Sequence, residues 1–224
     1  MCLDFHCEMC EIMIKRLFAV AAVVLSATLC FAEGAEDNTP KRKAITGYSG
    51  GMMIHSGWIS GSQKVGTGTY KADGMVYGIG GAIRFHVGNH FRFGTEGYTS
   101  NLPQKNRPMA SPGSYLKASW GGLLVDGCYP IGRFYPYAGV TVLAGGHRTL
   151  LYEGEDKGLY QGTAYLNKGV FVGFDPFIGC DFAVTKALRL TLKVDCLQGW
   201  GVGKTAGTRL PIGPRVFFGF MFCH

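Results

Sequence analysis

The sequence predicts an all-β protein, an eight-stranded antiparallel up-and-down transmembrane β-barrel preceded by a cleaved signal peptide. Three observations support this fold class. Apolar and polar residues alternate with a period of two over eight long segments, as side chains do on the two faces of a strand. Long and short connections alternate strictly between the segments, as in outer-membrane barrels. Beyond the signal, no run of about 18 apolar residues predicts a helical span.

The amino-terminal region contains a secretory signal pattern at residues 13–32. Lys15 and Arg16 supply a basic start, an apolar run follows, and the small residue Ala32 stands at a cleavable position. Cleavage after Ala32 is favoured over lipidation at Cys30, because a bulky leucine precedes that cysteine.

The segments on either side of the signal are expected to lie outside the folded domain. Residues 1–12 include a Cys7-x-x-Cys10 spacing that a zinc or redox site would use, but no second ligand pair accompanies it. We therefore interpret residues 1–12 as an extension from an early start site. Residues 33–44 are charged and predict a flexible lead-in, and residues 45–224 form the barrel.

Eight strand candidates make up that domain, and each is long enough to cross a membrane. They span about 45–59, 74–88, 91–101, 114–129, 134–147, 169–184, 188–199 and 212–223. Membrane strands need about 9–11 residues, whereas soluble strands average about 5–6. The 35 glycines recur inside these alternating runs, which favours a strongly curved sheet.

The seventh candidate shows the two faces most clearly. Leu190, Leu192 and Val194 occupy one register, and Arg189, Lys193 and other polar residues occupy the opposite one. Because an eight-stranded barrel encloses room for little but side chains, we expect the apolar register to face lipid and the polar register to face the lumen.

Two further predictions concern single residues. The alternation places Cys180 and Cys196 on the apolar outer face. Pro176 cannot donate a ladder hydrogen bond and a closed barrel has no free edge, so we expect it at a bulge or near the outer rim.

The connections predict which end of the barrel faces outward. The long ones are Ser60–Asp73, Leu102–Gly113, Arg148–Lys168 and Trp200–Pro211, and the short ones are 89–90, 130–133 and 185–187. Long loops belong outside and tight turns in the periplasm. Aromatic residues gather near both strand ends, as in the girdles at bilayer interfaces.

With these features, the chain from Ile45 onward resembles the small eight-stranded outer-membrane barrels of the OmpA and OmpX kind, and the single-barrel proteins of the outer membrane protein β-barrel domain. The resemblance implies a place in the outer membrane of a Gram-negative bacterium and insertion by the barrel assembly machinery. Such families end on an aromatic residue; Phe222 matches, but Cys223 and His224 follow it. The resemblance implies no single activity.

Charged residues in the inward register predict a lumen filled by ion pairs, with no wide pore. The candidates are Arg84, Arg92, Glu96, Asp126, Asp175, Asp181, Arg189, Lys193, Asp195 and Arg215. A Lys or Arg facing lipid at the midplane costs about 2–4 kcal/mol, and an inward position avoids that cost if each charge finds a partner. A narrow ion or proton path is the alternative interpretation.

The predicted loops are more basic than acidic, which favours contact with the anionic phosphates of lipopolysaccharide. The candidate contacts are Lys64, Lys71, Lys105, Arg107, Lys168 and Arg209. The pI near 9.0 does not predict nucleic-acid binding, because these residues are spread over separate loops. Lipopolysaccharide and outer-membrane lipid are therefore the expected partners of a monomer.

No motif predicts catalysis, a cofactor or a metal site, so we interpret the chain as a non-enzymatic structural or surface-interaction protein. An outer-membrane lipid hydrolase is the alternative interpretation. Such an enzyme would need a serine, a histidine and an acid near the outer rim. His55, Ser56, Ser114, His147 and Glu153 fall there, but no motif connects them.

Overall fold

A computed structural model describes residues 45–65, 68–103, 115–153, 163–203 and 209–224. The predicted signal peptide, its preceding extension and the charged lead-in lie outside the described residues. The described part of the chain contains no helix that could cross a membrane.

Eight antiparallel strands form a closed up-and-down barrel, which confirms the predicted fold class. The strands are β1 Ile45–Val65, β2 Gly68–Val87, β3 Phe91–Pro103, β4 Tyr115–Cys128, β5 Phe134–Glu153, β6 Thr163–Ala183, β7 Leu188–Val202 and β8 Arg209–Cys223. The seam between first and last strand closes in register, with Ile54 opposite Phe218.

The strands are longer than predicted at the loop side of the barrel, the end opposite the tight turns. Ser60–Asp73 is not a long loop, because β1 and β2 stay paired as far as Val65 and Gly68. Much of Arg148–Lys168 is likewise strand in β5 and β6. Backbone pairing continues there without an apolar face, so the polar sequence beyond the hydrocarbon layer reads as loop.

The outer wall is apolar and the interior contains the charged residues, as predicted, together with buried apolar side chains such as Phe171 and Phe217. In β7, Leu190 and Leu192 are 37% and 51% exposed, whereas the alternate residues Thr191 and Lys193 are 1% and 0% exposed. Exposed aromatic rings mark both ends of the wall. They are Phe91, Tyr129 and Phe134 at the turn side, and Trp58, Tyr77 and Trp200 toward the loop side.

The sheet is irregular where β6, β7 and β8 meet, and one prediction fails there. Pro176 lies in the middle of β6 and not near the rim, but the ladder to β7 is interrupted at this residue, which has no N–H to donate, and the register of β7 against β8 shifts beside it. Cys196 is buried and not exposed on the wall. The register of β7 against β8 shifts at this point, and a Cβ added to Gly213 of β8 would lie 2.8 Å from the Cys196 Cα.

Candidate functional site

The barrel lumen holds the largest group of ionisable side chains that the structure describes. Nine of the ten predicted residues are buried inside it: Arg84, Arg92, Glu96, Asp126, Asp175, Asp181, Lys193, Asp195 and Arg215. They lie at three successive levels along the barrel axis. We name these levels the turn-side cluster, the central pair and the loop-side cluster.

The turn-side cluster consists of Arg84, Arg92, Asp126 and Asp181. The Arg92 guanidinium donates from Nε to Asp126 Oδ1 over 2.6 Å and from Nη1 to Asp181 Oδ2 over 2.8 Å. Arg84 lies farther away, 3.6 Å from Asp126 and 3.7 Å from Asp181. Because Asp181 belongs to β6 and the other three to β2, β3 and β4, the cluster ties opposite sides of the barrel together.

Uncharged groups complete this cluster. The ring of Tyr137 lies against both guanidinium groups, with its centroid 4.6 Å from the Cζ atom of each. Thr191 donates to Asp181 Oδ1 over 2.6 Å, and its hydroxyl lies 3.0 Å from that of Tyr137. Cation–π contacts of this kind strengthen when they are shielded from water.

The central pair joins Glu96 of β3 to Lys193 of β7 across the lumen. The Lys193 ammonium donates to both Glu96 oxygens, at 3.0 and 2.9 Å. Thr141 and Tyr98 also donate to the carboxylate, at 2.5 and 3.3 Å. The ammonium further lies over aromatic rings, 4.6 Å from the centroid of Phe177 among others.

The loop-side cluster is built on Arg215 of β8. Its guanidinium donates to both oxygens of Asp195, each over 2.7 Å, and to Asp175 over 3.0 Å. Lys193 lies 3.6 Å from Asp195 and so connects this cluster with the central pair. Two-point arginine–carboxylate contacts fix orientation as well as charge.

Apolar side chains are buried on the loop side of these clusters. They are Ile59, Val76, Leu102, Leu116 and Leu197. Polar side chains are buried at the same height, since Thr149 lies opposite Leu116.

Arg189 differs from the other nine predicted residues. It is half-buried near the tight turns, and its guanidinium lies over the ring of Tyr135, 3.9 Å from the centroid. Among the described residues no carboxylate forms an ion pair with it. The alternation of residues in β7 could not predict this contact with Tyr135.

The described hydrolase candidates His55, Ser56 and His147 form no hydrogen bond with one another. Ser56 donates to the backbone of Val76, and His147 is buried with both ring nitrogens unpaired among the described groups. Ser114 and the Glu153 side chain lie outside the description. His55 does contact a serine, but it is Ser100 on β3, with Nε2 2.8 Å from Oγ.

The His55–Ser100 contact lacks the rest of a catalytic constellation. Both side chains are buried, at 4% and 2% exposure, and rings of Tyr98 and Phe217 pack against the imidazole. His55 Nδ1 has no hydrogen-bond partner among the described residues, so no carboxylate orients the ring. Sequence reasoning missed Ser100, although its inward parity with Glu96 could have identified it.

The predicted lipopolysaccharide contacts are described only in part. Lys105 and Arg107 lie outside the described residues, as do the side chains of Lys64, Lys71 and Arg209. Lys168 is exposed on the outer wall, and cross-strand pairing places it beside Arg148. The described residues contain no group of histidine, cysteine or acidic side chains that could hold a metal ion.

No protein-family profile and no curated protein matches the chain. Among solved structures, it is similar to neisserial surface protein A (15% identity, TM-score 0.47, covering 79% of this chain and 96% of that one). It is also similar to the attachment invasion locus protein Ail of Yersinia pestis (9%, 0.45, covering 80% and 99%). A third is the outer membrane protease OmpT from Escherichia coli (9%, 0.41, covering 82% and 98%). Likenesses at this level carry no functional argument.

The surfaces of the barrel indicate the environment in which it is stable. A closed barrel with an apolar outer wall, aromatic rings near both ends and a charged interior is stable only with hydrocarbon around it. These features identify the chain as an eight-stranded membrane-spanning β-barrel protein.

Proposed function

We propose that this protein is a monomeric, non-enzymatic barrel that serves a structural and surface-interaction role in the outer membrane, without a conducting pore. The observation that supports it best is the filling of the lumen by ion pairs at three successive levels, each less than 4 Å between charged atoms. Buried apolar side chains such as Leu102 and Leu116 lie on the loop side of these pairs and further reduce the space inside the barrel.

The energetics favour a bracing role for these pairs. Removing one partner of a buried ion pair costs about 3–5 kcal/mol, because the other charge stays buried without compensation. Arg92, Lys193 and Arg215 each contact carboxylates on other strands. The interior charges therefore hold the cylinder closed and are poorly placed to bind a passing solute.

The surface role is proposed to include contact with lipopolysaccharide. Lys168 is exposed on the loop side of the wall, and the sequence adds Lys105 and Arg107 to the predicted basic contacts. Basic groups near anionic headgroups are favoured at that level.

A bilayer recording tests the absence of a pore. Purified barrel reconstituted in a planar bilayer should give no stable single-channel conductance, while a porin in the same bilayer serves as the positive control. Reproducible conductance steps from the wild-type barrel would refute the proposal and favour the ion path.

The lipid hydrolase is the second candidate, favoured only by the His55–Ser100 contact. Purified protein is incubated with lipopolysaccharide, and mass spectrometry follows the acyl chains. We expect the same spectrum for wild type, for Ser100→Ala and for buffer alone. Loss of an acyl chain with wild type but not with Ser100→Ala would establish the enzyme.

A further inference from the structure

Three basic side chains stand side by side on the outer wall of the barrel. Lys117 of β4 lies opposite Arg148 of β5, which in turn lies opposite Lys168 of β6. All three are exposed and belong to the outward register. Neighbouring strands are about 4.8 Å apart, so the row spans about 10 Å. We name these residues the basic row.

The basic row has no acidic partner among the residues that the structure describes. Among the described residues, no carboxylate lies within 4 Å of Lys117, Arg148 or Lys168. The lumen clusters contrast with it, since every buried cation there has an acidic partner. Three adjacent cations without a partner repel one another, and an anion bound between them would relieve that repulsion.

The height of the basic row matches the headgroups of the outer leaflet. Lys117 lies ten residues along β4 from Gly127, which stands at the turn side. At about 3.4 Å per residue and a strand tilt of about 40°, this distance is about 26 Å along the membrane normal. The apolar band of such barrels is about 25 Å tall, so the row begins where the hydrocarbon ends.

A groove on the wall adjoins the basic row. Its upper part has a volume of about 730 Å³ and is lined by Lys117, Arg148 and Lys168, with Ser119 below them. Ser119 also lines a second part of about 530 Å³, which continues down the wall past Gly97 and Gly121. The cations therefore stand at the top of a shallow, open groove that descends along the wall.

The lower groove exists because small residues align on adjacent strands. Gly97, Gly121 and Ala144 lie opposite one another on β3, β4 and β5. Larger apolar side chains stand on the wall around them, including Leu123 and Val142, at 69% and 66% exposure. A row of small residues between larger apolar side chains leaves room for an extended acyl chain on the wall.

We propose that the basic row and the groove together bind one lipid of the outer leaflet that carries phosphate on its headgroup and several acyl chains, the chemistry of the lipid A end of lipopolysaccharide. The phosphate oxygens lie against Lys117, Arg148 and Lys168, and one acyl chain lies in the groove over Gly97 and Gly121. The inference rests on the proposed lipopolysaccharide contact and moves it from the loops to the wall.

A titration with defined lipids tests the site. Folded barrel in detergent is titrated with hexa-acylated lipid A carrying two phosphates, and native mass spectrometry yields the Kd. Near an anionic surface each Lys or Arg strengthens binding about fivefold, so Lys117→Gln with Arg148→Gln should weaken binding about 30-fold. Arg133→Gln with Lys186→Gln, an equal loss of charge at the exposed turns, should leave the Kd unchanged.

A second variant tests the groove separately. A Cβ added to Gly121 or Gly146 would meet its nearest neighbours at 3.6 and 3.5 Å, ordinary contacts that leave the barrel intact. Gly121→Leu with Gly146→Leu should therefore fold, as judged by its altered gel mobility before heating, yet bind lipid A at least fivefold more weakly. The changes at Lys117 and Arg148 should weaken binding of lipid A with one phosphate by a smaller factor than binding of the two-phosphate form.

The outcomes separate the two proposals. If Lys105→Gln with Arg107→Gln weakens binding and the wall variants do not, the wall site is overturned while lipopolysaccharide contact stands. If wild type binds no lipid A, both are overturned. Weakened binding with the wall variants alone supports the site, and an unchanged Kd in both of them overturns it.

Discussion

Glu96 and Lys193 form the ion pair at the centre of the lumen, and a double-mutant cycle measures what it contributes to stability. Both side chains are almost fully buried, and both Glu96 oxygens accept from the ammonium at about 3 Å. Glu96→Gln keeps the shape and removes the charge. We expect it to lower the free energy of unfolding by about 3 kcal/mol, the low end for a broken buried pair.

The low end is expected because Lys193 keeps a second carboxylate, Asp195, at 3.6 Å. Lys193→Met should cost a similar amount, since it leaves the Glu96 charge with only Thr141 and Tyr98 as donors. When both partners are neutral, neither buried charge is stranded. The double variant should therefore cost less than the sum of the single variants, with a coupling energy of about 2–3 kcal/mol.

Unfolding in guanidinium after reconstitution in lipid vesicles provides the measurement, with tryptophan fluorescence as the signal. Lys186→Met, on an exposed turn, is the control and should change stability by less than about 0.5 kcal/mol. Additive effects of Glu96→Gln and Lys193→Met would contradict the view that this pair braces the barrel.

Three further predictions follow from the wall, the seam and the thiols. Leu192→Arg on the lipid-facing wall should cost about 2–4 kcal/mol in the same unfolding assay, with Leu192→Ala as control. Gly51→Val should prevent closure, because a Cβ there would clash with the β8 backbone, while Gly121→Val should still give the folded gel band. Cys196 should resist a water-soluble maleimide until the barrel is unfolded, since it is 3% exposed, whereas the half-buried Cys223 should react in the folded state.

The sequence predicts the sides of the strands well because the side-chain period is a local property. In β7, the alternation of Leu192 and Lys193 alone is enough to assign wall and lumen. The same reasoning fails at Cys196, where an extra residue in the neighbouring β8 changes the packing. A bulge in one strand is invisible in the alternation of another.

Partners across the lumen are the part that local patterns cannot predict. Arg92 and Asp181 are 89 positions apart in the chain, and their contact depends on the stagger of all the strands between them. The stagger is fixed by turns and bulges along the whole circuit. For the same reason Ser100 could be assigned to the lumen from its register, but its contact with His55 could not.

The basic row was hidden by a different effect. Lys117, Arg148 and Lys168 belong to three strands, and only their cross-strand register brings them together. In the sequence, Lys168 and Arg148 read as ends of a loop, because polar residues replace the apolar alternation once the strands leave the hydrocarbon.

The charged lumen also explains how such a chain can reach its membrane. Replacing the interior charges with apolar residues would make both faces of each strand apolar, and strands of that kind read as continuous hydrophobic runs. In β6, Asp175 and Asp181 are the charged residues that interrupt the apolar stretch after Lys168. Alternation keeps every strand half polar before insertion, and the ion pairs give those polar groups partners once the barrel closes. The same charged side chains therefore keep the strands half polar before insertion and stabilise the closed barrel afterwards.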